Sequence, residues 1–332
     1  MSSKATITER LLDGDRTALA RLITWAENRD ERFPEALSAV YSHVGRAWRA
    51  GITGPPGAGK STLVNEMARL ERERERTVGI LAVDPSSPFS GGALLGDRIR
   101  MEERTLDSGV FIRSMASRGS HGGLAKASVD ACDVMDAFGI DSILLETVGV
   151  GQAEYDVLGA VDTVVVVLCP GAGDGVQAMK AGLLEVADVL VVNKSDLPGA
   201  DRLIADMNEA MHVRFLPGRD WEVPVVPCSA GTNTGVEDVL DAIASHRAHL
   251  ERTNLDQVRR AKRLDQIRLV VDGGVSEALW GPKGFGAFAD RDLVGERTPY
   301  EVADSILERV LAEISSAPTQ RMAPGASEGA RP

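Results

Sequence analysis

The chain has 332 residues, enough for one large domain with appendages, and its 49 acidic residues outnumber its 37 basic ones. This negative balance argues against nucleic acid or an anionic membrane as a partner. No apolar run reaches the roughly 20 residues that cross a bilayer, and the N-terminus lacks a signal-peptide pattern. The 3 cysteines are widely separated and imply no disulfide framework, so we expect a cytoplasmic protein.

The N-terminal segment, residues 1–45, is predicted to be a helical extension. Asp15 is a suitable N-cap for a helix whose apolar residues from Leu19 to Ala26 share one face, and Pro34 begins another helix. We expect these helices to cap the domain that follows or to contact a partner.

Residues 46–250 alternate between strand and helix patterns, which predicts an α/β domain with a doubly wound, mostly parallel sheet. The predicted strands cover residues 48–53, 77–83, 110–113, 142–146, 163–168, 188–192 and 223–227. Because ligands bind at the carboxyl ends of the strands in such sheets, the residues that follow these strands are the candidate site.

The first strand runs into the spacing G-x-x-x-x-G-K-S, which is typical of a phosphate-binding P-loop. Its backbone N–H groups cradle the phosphates, Lys60 reaches the β and γ oxygens, and the Ser61 hydroxyl is placed to bind magnesium. The helix that begins there adds its positive dipole end. The predicted phosphate-binding residues are Gly54, Pro55, Pro56, Gly57, Ala58, Gly59, Lys60, Ser61 and Thr62.

Two further strands end in acids, Asp84 and Glu146, which should lie near the metal and the γ-phosphate. Glu146 begins E-T-V-G, in the place of the D-x-x-G of most GTPases, so the Gly149 N–H is expected to sense the γ-phosphate. Asp97, on a glycine-rich segment, is a third candidate near magnesium. Val150 stands where Ras-like proteins carry the glutamine that orients water, which predicts slow hydrolysis that a partner accelerates.

The strand at 188–192 ends in N-K-S-D, a pattern that selects guanine. The carboxylate of Asp196 can accept two hydrogen bonds from guanine N1–H and its exocyclic amine, which adenine cannot supply. Lys194 is expected to lie on the base, and Asn193 to tie this loop to the P-loop. Ser229 and Ala230 follow the next strand, where a backbone N–H can reach the guanine O6, so the predicted ligand is GTP.

The C-terminal part is predicted to be a helical arm, residues 251–314, followed by a disordered tail, residues 315–332. In the last helix Val302, Ile306 and Val310 recur at four-residue spacing. This apolar stripe indicates either a subunit contact or a packing face within the chain.

Four segments together resemble the MeaB/ArgK family of GTPases. These are D-P-S-S-P at 84–88, the glycine-rich run at 91–101, E-T-V-G-V-G-Q at 146–152 and the segment at 170–182. The resemblance runs from about residue 8 to 311. It implies a P-loop GTPase that acts as a GTP-dependent chaperone of an adenosylcobalamin-dependent acyl-CoA mutase, above all methylmalonyl-CoA mutase.

The resemblance also implies site roles. Asp84, Asp97 and Glu146 would surround Mg²⁺ together with Ser61, and the C-terminal arm would form a homodimer. The loop at 169–180 would be a further switch that communicates with the mutase. Its polar members are Asp174, Gln177 and Lys180, and the implied catalytic residues are Lys60, Asp97 and Gly149.

Two other function classes compete with this interpretation. A GTPase that inserts nickel or zinc needs clustered thiols and imidazoles, whereas His246 and His249 are expected to be solvated on a helix surface. A nucleotide-dependent kinase of an amino-acid transport system conflicts with N-K-S-D and with the lack of an evident base for a substrate hydroxyl. The alternating charges of residues 71–76 predict a solvated helix end rather than a binding patch.

Overall fold

The computed structural model describes residues 5–84, 107–116, 121–147, 159–171, 182–213, 220–281, 284–286 and 297–316. Two compact units divide the chain, Met1–Val270 and Val271–Pro332. None of the described helices combines the length and apolar character that a bilayer span requires.

The first unit is built on a sheet of seven parallel strands. The strands are β1 (Trp48–Thr53), β2 (Val78–Asp84), β3 (Val110–Ala116), β4 (Ser142–Thr147), β5 (Thr163–Leu168), β6 (Val189–Val192) and β7 (Val225–Pro227). Their order in the sheet is β3-β2-β4-β1-β5-β6-β7, so the strand before the P-loop lies at the centre. Each predicted strand is present, and the predicted α/β class is confirmed.

The described helices are α1 (Ile7–Leu12), α2 (Arg16–Asn28), α3 (Phe33–Val40), α4 (Lys60–Glu73), α5 (His121–Phe138), α6 (Leu183–Val186), α7 (Ala200–Val213), α8 (Val236–Thr253), α9 (Leu255–Trp280) and α10 (Pro299–Ser316). Short 3-10 helices lie at Tyr41–His43, after α3, and at Ala230–Thr232, after β7.

The sheet is buried on both faces because helices cover each side. Strands such as β5, with the sequence T-V-V-V-V-L, are buried at every position, as expected for central parallel strands. One apolar cluster joins one sheet face to α1, α2, α3 and α5, and a second joins the other face to α4 and α8. Helices α4 and α8, which both begin next to the candidate site, therefore pack on the same face of the sheet.

The N-terminal extension is helical, as predicted, and α2 packs against α5. The Asp15 carboxylate caps α2 by accepting the Thr17 N–H at 2.7 Å and the Ala18 N–H at 3.3 Å. The predicted apolar face of α2 is buried, including Leu19 and Ile23. In the second unit, Val302 and Ile306 of α10 are buried by the chain's own residues, whereas Tyr300, Leu307 and Leu311 are exposed.

Residues 73–76 are exposed, as predicted for a solvated helix end, whereas Glu71 is 4% exposed and accepts a hydrogen bond from Arg76 at 3.3 Å. The prediction of a solvated His246 is wrong. His246 is also 4% exposed: its Nδ1 lies 2.9 Å from the Thr163 hydroxyl and its ring packs against Trp221. In both cases a polar partner within the protein makes burial of the polar group tolerable.

A buried ionic network joins the amino-terminal edge of the sheet to the helices around it. Arg49 on β1 bonds Asp133 at 2.7 Å and Asp136 at 3.0 Å, and Arg263 on α9 bonds the second oxygen of Asp133 at 2.8 Å. Burial alone would raise the pKa of the Asp133 carboxyl, but the charges of Arg49 and Arg263 hold that pKa below its ordinary value. The network anchors the start of α9 to the strand that carries the P-loop.

Candidate functional site

Glycine is sterically required at two positions of the P-loop. Gly54 and Gly59 have φ values of 141° and 87°, which L side chains rarely adopt. A Cβ at Gly54 would lie 2.0 Å from the Val167 carbonyl oxygen, and one at Gly59 would lie 2.4 Å from Asn193 Nδ2. The loop thus packs directly on β5 and on the N-K-S-D segment, with its backbone N–H groups available to a ligand.

Lys60 is the first residue of α4, and its ammonium group lies inside the loop. The side chain is buried, and Nζ donates to the carbonyls of Gly54 at 2.7 Å and Pro55 at 3.0 Å. Gly59 occupies the N-cap of α4, and no side chain among the described residues caps the start of this helix. The free N–H groups of the first turn and the ammonium group together make this an anion site.

Ser61 and Glu146 meet at the end of the sheet next to this loop. The Ser61 hydroxyl donates to Glu146 Oε1 at 2.6 Å, and Glu146 is 7% exposed. Glu146 pairs in register with Ile52, near the end of β1, which places it beside the P-loop. A hydroxyl and a carboxylate oxygen are the hard ligands that Mg²⁺ accepts alongside nucleotide phosphates and water, so these two residues fit that ion.

Asn193 joins the three loops of the site. Its Nδ2 donates to the Ala58 carbonyl at 2.8 Å, while its Oδ1 accepts the Ala230 N–H at 3.0 Å. Lys194 adds a second link, since its Nζ donates to the Gly57 carbonyl at 2.7 Å. The P-loop, N-K-S-D and the segment after β7 therefore form one hydrogen-bonded unit.

Asp196 lies at the rim of this unit with its side chain exposed. The hydroxyl of Ser229, which is 4% exposed, donates to the Asp196 carboxylate. The Ser195 N–H donates to the Cys228 carbonyl at 2.9 Å, which holds the two segments side by side. A purine base bound at this rim would contact the Asp196 carboxylate, which the Ser229 hydroxyl already orients.

Two cysteines support the site, a role that the sequence alone did not indicate. Burial raises the pKa of the Cys228 thiol to about 12, and this protonated group donates to Asn193 Oδ1 across 3.5 Å. Cys169, directly after β5, donates from Sγ to the Gly57 carbonyl across 3.9 Å. Each cysteine directly follows a strand of the sheet, Cys169 after β5 and Cys228 after β7, and that position was the available signal.

Of the remaining predicted site residues, Thr62 is fully described, Asp84 is described only in its backbone, and the others lie outside the described ranges. Asp84 is the last residue of β2, beside β4, but its side chain lies outside the described residues. Thr62 lies exposed in the first turn of α4. The predicted residues that fall wholly outside the described ranges are Asp97, Gly149, Asp174, Gln177 and Lys180.

Across the part of the chain that the structure describes, no three His, Cys, Asp or Glu side chains come together as a metal-binding group. His246 is committed to Thr163 and lies 3.7 Å from Asp188 through Nε2.

Comparison with known proteins identifies the family. The family model described as "Methylmalonyl Co-A mutase-associated GTPase MeaB" matches residues 19–283. A Pyrococcus abyssi protein named as a GTPase is 46% identical over 309 residues, covering 91% of this chain and 95% of the relative. GTPase ArgK of Escherichia coli is 33% identical over 305 residues, covering 89% and 92% of the two chains.

The methylmalonic aciduria type A homolog of mouse mitochondria is 35% identical over 250 residues, which cover 70% of this chain and 60% of that protein. Among solved structures, the LAO/AO transport system kinase superposes with a TM-score of 0.71 at 27% identity, covering 94% and 99% of the two chains. The fold, the P-loop and these relatives agree, and the chain belongs to the MeaB/ArgK family of P-loop GTPases.

Proposed function

We propose that this protein is a magnesium-dependent GTP hydrolase that acts as a chaperone and switch for an adenosylcobalamin-dependent acyl-CoA mutase of the methylmalonyl-CoA type. GTP binding is supported above all by the two hydrogen bonds of the Asn193 amide, which join the N-K-S-D segment to the P-loop and to the segment after β7. The family description, which names a methylmalonyl-CoA mutase, supports the partner.

The P-loop binds the triphosphate. In this structure the Lys60 ammonium group donates to the Gly54 and Pro55 carbonyls. A β/γ phosphate offers the ammonium group charge-assisted hydrogen bonds, which are stronger than bonds to neutral carbonyls. The ammonium group therefore turns from the carbonyls to the phosphates when GTP binds.

Magnesium supplies charge neutralisation for the phosphates when it is bound. Ser61 and Glu146 would hold it, with Asp84 and Asp97 added by family resemblance. The short bond from the Ser61 hydroxyl to Glu146 orients both oxygens toward the same place beside the P-loop. The Gly149 N–H is proposed to detect the γ-phosphate, and Lys60 and Asp97 complete the catalytic set.

Guanine selection is assigned to the rim that Asp196 shares with Ser229 and Ala230. The Asp196 carboxylate accepts two hydrogen bonds from guanine. The Ala230 N–H, which donates to Asn193 Oδ1 at 3.0 Å in this structure, is held at the same rim. Lys194 is already bonded to the P-loop at Gly57, so its stem crosses the space between phosphate and base.

Regulation by the mutase follows from the incomplete hydrolytic machinery. With Val150 where a water-orienting glutamine stands in Ras-like proteins, the isolated protein hydrolyses GTP slowly. The switch residues Asp174, Gln177 and Lys180 would carry the signal of mutase binding to the nucleotide. A homodimer formed through the C-terminal arm and a cytoplasmic location complete the proposal.

The deciding experiment is GTP hydrolysis by the purified protein, alone and with a purified methylmalonyl-CoA mutase. We expect a rate increase on mixing that saturates near one mutase per dimer. Albumin at equal concentration is the control. A rate that is fast alone and unchanged by the mutase would refute the switch while leaving nucleotide binding intact.

A further inference from the structure

A cavity of about 680 Å³ lies between the C-terminal half of α4 and the middle of α8. Trp48 and Ser142, the first residues of β1 and β4, line it, so it opens at the amino-terminal edge of the sheet. Its volume lies in the range of small-molecule sites, roughly 300–1,000 Å³. The six residues of β1, about 3.3 Å each, separate it from the P-loop.

The floor of the cavity is apolar and buried. The aliphatic side chains that form it come from α4, α8 and two strands of the sheet. They are Ala50, Met67, Leu144, Leu240 and Ile243. An apolar floor beneath a charged rim is the usual arrangement for a ligand that has an apolar body and a polar head group.

Most of the acids of the rim are already paired within the protein. Glu71 accepts from Arg76 at 3.3 Å, and the Asp141 carboxylate accepts the Thr77 N–H at 2.8 Å and its hydroxyl at 2.7 Å. Glu251 accepts from Arg247 Nε at 2.7 Å. The rim also holds four arginines, and one of them, Arg74, lies 3.9 Å from Glu71 and 3.5 Å from Asp241.

The guanidinium groups of the rim have donors to spare. Among the described residues, Arg46 makes no side-chain hydrogen bond or ion pair. Arg247 uses Nε for Glu251 and stacks 5.2 Å from the Trp48 ring, which leaves its terminal amino groups available. Arg76 commits one amino group to Glu71. Exposed Glu75 is the opposing acid. The donors that remain for a ligand are therefore the Arg46 guanidinium and the terminal amino groups of Arg247.

We propose that this cavity is a second ligand site, distinct from the nucleotide site, that binds an organic anion through Arg46 and Arg247 with its apolar body on the α4–α8 floor. The head group is a carboxylate or a phosphate, because guanidinium groups pair with both. The proposal does not depend on the identity of the mutase or on the rate of GTP hydrolysis.

The test uses octanoate and octyl phosphate as anionic probes, with octanamide as the uncharged match. Binding to the full chain is followed by saturation-transfer NMR and calorimetry. We expect both anions to bind. Octanamide should bind more weakly by about tenfold or more, because it cannot form the stronger hydrogen bonds that a charged head group makes with the guanidinium groups. Comparison of the two anions identifies the preferred head group. Equal binding of octanamide and the anions would overturn the proposal.

Two pairs of variants locate the site. Ala244→Trp fills the cavity from α8, whereas Ala248→Trp places the same side chain one turn away, outside the lining. The first should abolish binding and the second should preserve it. The double variant Arg46→Gln/Arg247→Gln should weaken anion binding by about tenfold or more, while Arg252→Gln, beyond the lining, should not.

Nucleotide binding serves as the folding control for every variant, since each should still bind GDP. Saturating GDP should leave octanoate bound, because the two sites lie at opposite ends of β1. Displacement of octanoate by GDP, or retained binding in Ala244→Trp, would show that the anion does not occupy this cavity.

Discussion

The hydroxyl of Ser61 and the carboxylate of Glu146 lie 2.6 Å apart although 85 residues separate them in the chain. The contact joins the start of α4 to the end of β4 and presents two hard oxygens at one point. We predict that Glu146→Gln raises the magnesium concentration needed for half-maximal GTP hydrolysis by roughly 10–100-fold. The measurement is a magnesium titration of the hydrolysis rate. Glu237→Gln, on the exposed first turn of α8, is the control and should match the wild type.

Exchange of the guanine-binding acid should change which nucleotide binds. Asp196→Asn replaces an acceptor by a donor, so affinity for GDP should fall by about a hundredfold and affinity for xanthosine diphosphate should rise. Calorimetry with both nucleotides measures the change. Asp201→Asn, an exposed residue of α7, controls for the lost charge. Unaltered selectivity would remove Asp196 from the base-binding role.

Loss of the Asn193 amide should destabilise the protein as well as weaken nucleotide binding. Asn193 is 2% exposed, and Asn193→Ala leaves the Ala58 carbonyl and the Ala230 N–H without their partner. Each unsatisfied buried group costs about 1–3 kcal/mol of unfolding free energy. Urea unfolding in the absence of nucleotide measures this cost. Asn208→Ala, whose exposed amide bonds only the Ile204 carbonyl, should change stability far less.

Asp130 should make stability depend on pH in a defined direction. Burial, assisted by the like charge of Asp133, raises the pKa of its carboxyl from 3.8 to about 7, whereas the charges of Lys126 and Arg263 and a hydrogen bond from Gln266 act to lower it. Between these two pKa values the folded state keeps a proton that the unfolded state has lost, so stability falls as pH rises through this window. Asp130→Asn should therefore melt higher than the wild type at about pH 8 and equally near pH 4.

The neighbouring Asp133 provides the contrast. Its replacement by Asn leaves Arg49 with weaker compensation, and removal of one partner from a buried pair costs about 3–5 kcal/mol. Melting temperatures of Asp133→Asn and Asp130→Asn at about pH 8 should therefore move in opposite directions. A common direction would show that the two carboxyls share one environment.

The sheet and the P-loop were predictable because their signals are local. Runs such as Val164 to Val167 specify a buried strand without reference to the rest of the chain, and the loop from Gly54 to Ser61 is contiguous. The burial of Glu71 and His246 was not predictable in this way. Their environments depend on Arg76 after the helix and on Thr163 in a strand 83 residues away.

The partners of the site loops were predictable only in part. The N-K-S-D pattern predicted that Asn193 would bond the P-loop, and its Nδ2 does donate to the Ala58 carbonyl. The contribution of Cys228 to Asn193 depends on the register between β6 and β7, which pairs Val192 with Pro227 and has no signature in either strand alone.

The position of Asp133 between Arg49 and Arg263, with its carboxyl fully enclosed, has an evolutionary consequence. A neutral residue in place of Arg49 would leave two buried carboxylates, Asp133 and Asp136, with less compensating charge, and one in place of Asp133 would leave the buried Arg49 with Asp136 as its remaining acid. Descendants of this chain should therefore either keep all three residues or exchange them as a set for apolar ones. Sequences that carry only two of the three should be rare among stable relatives.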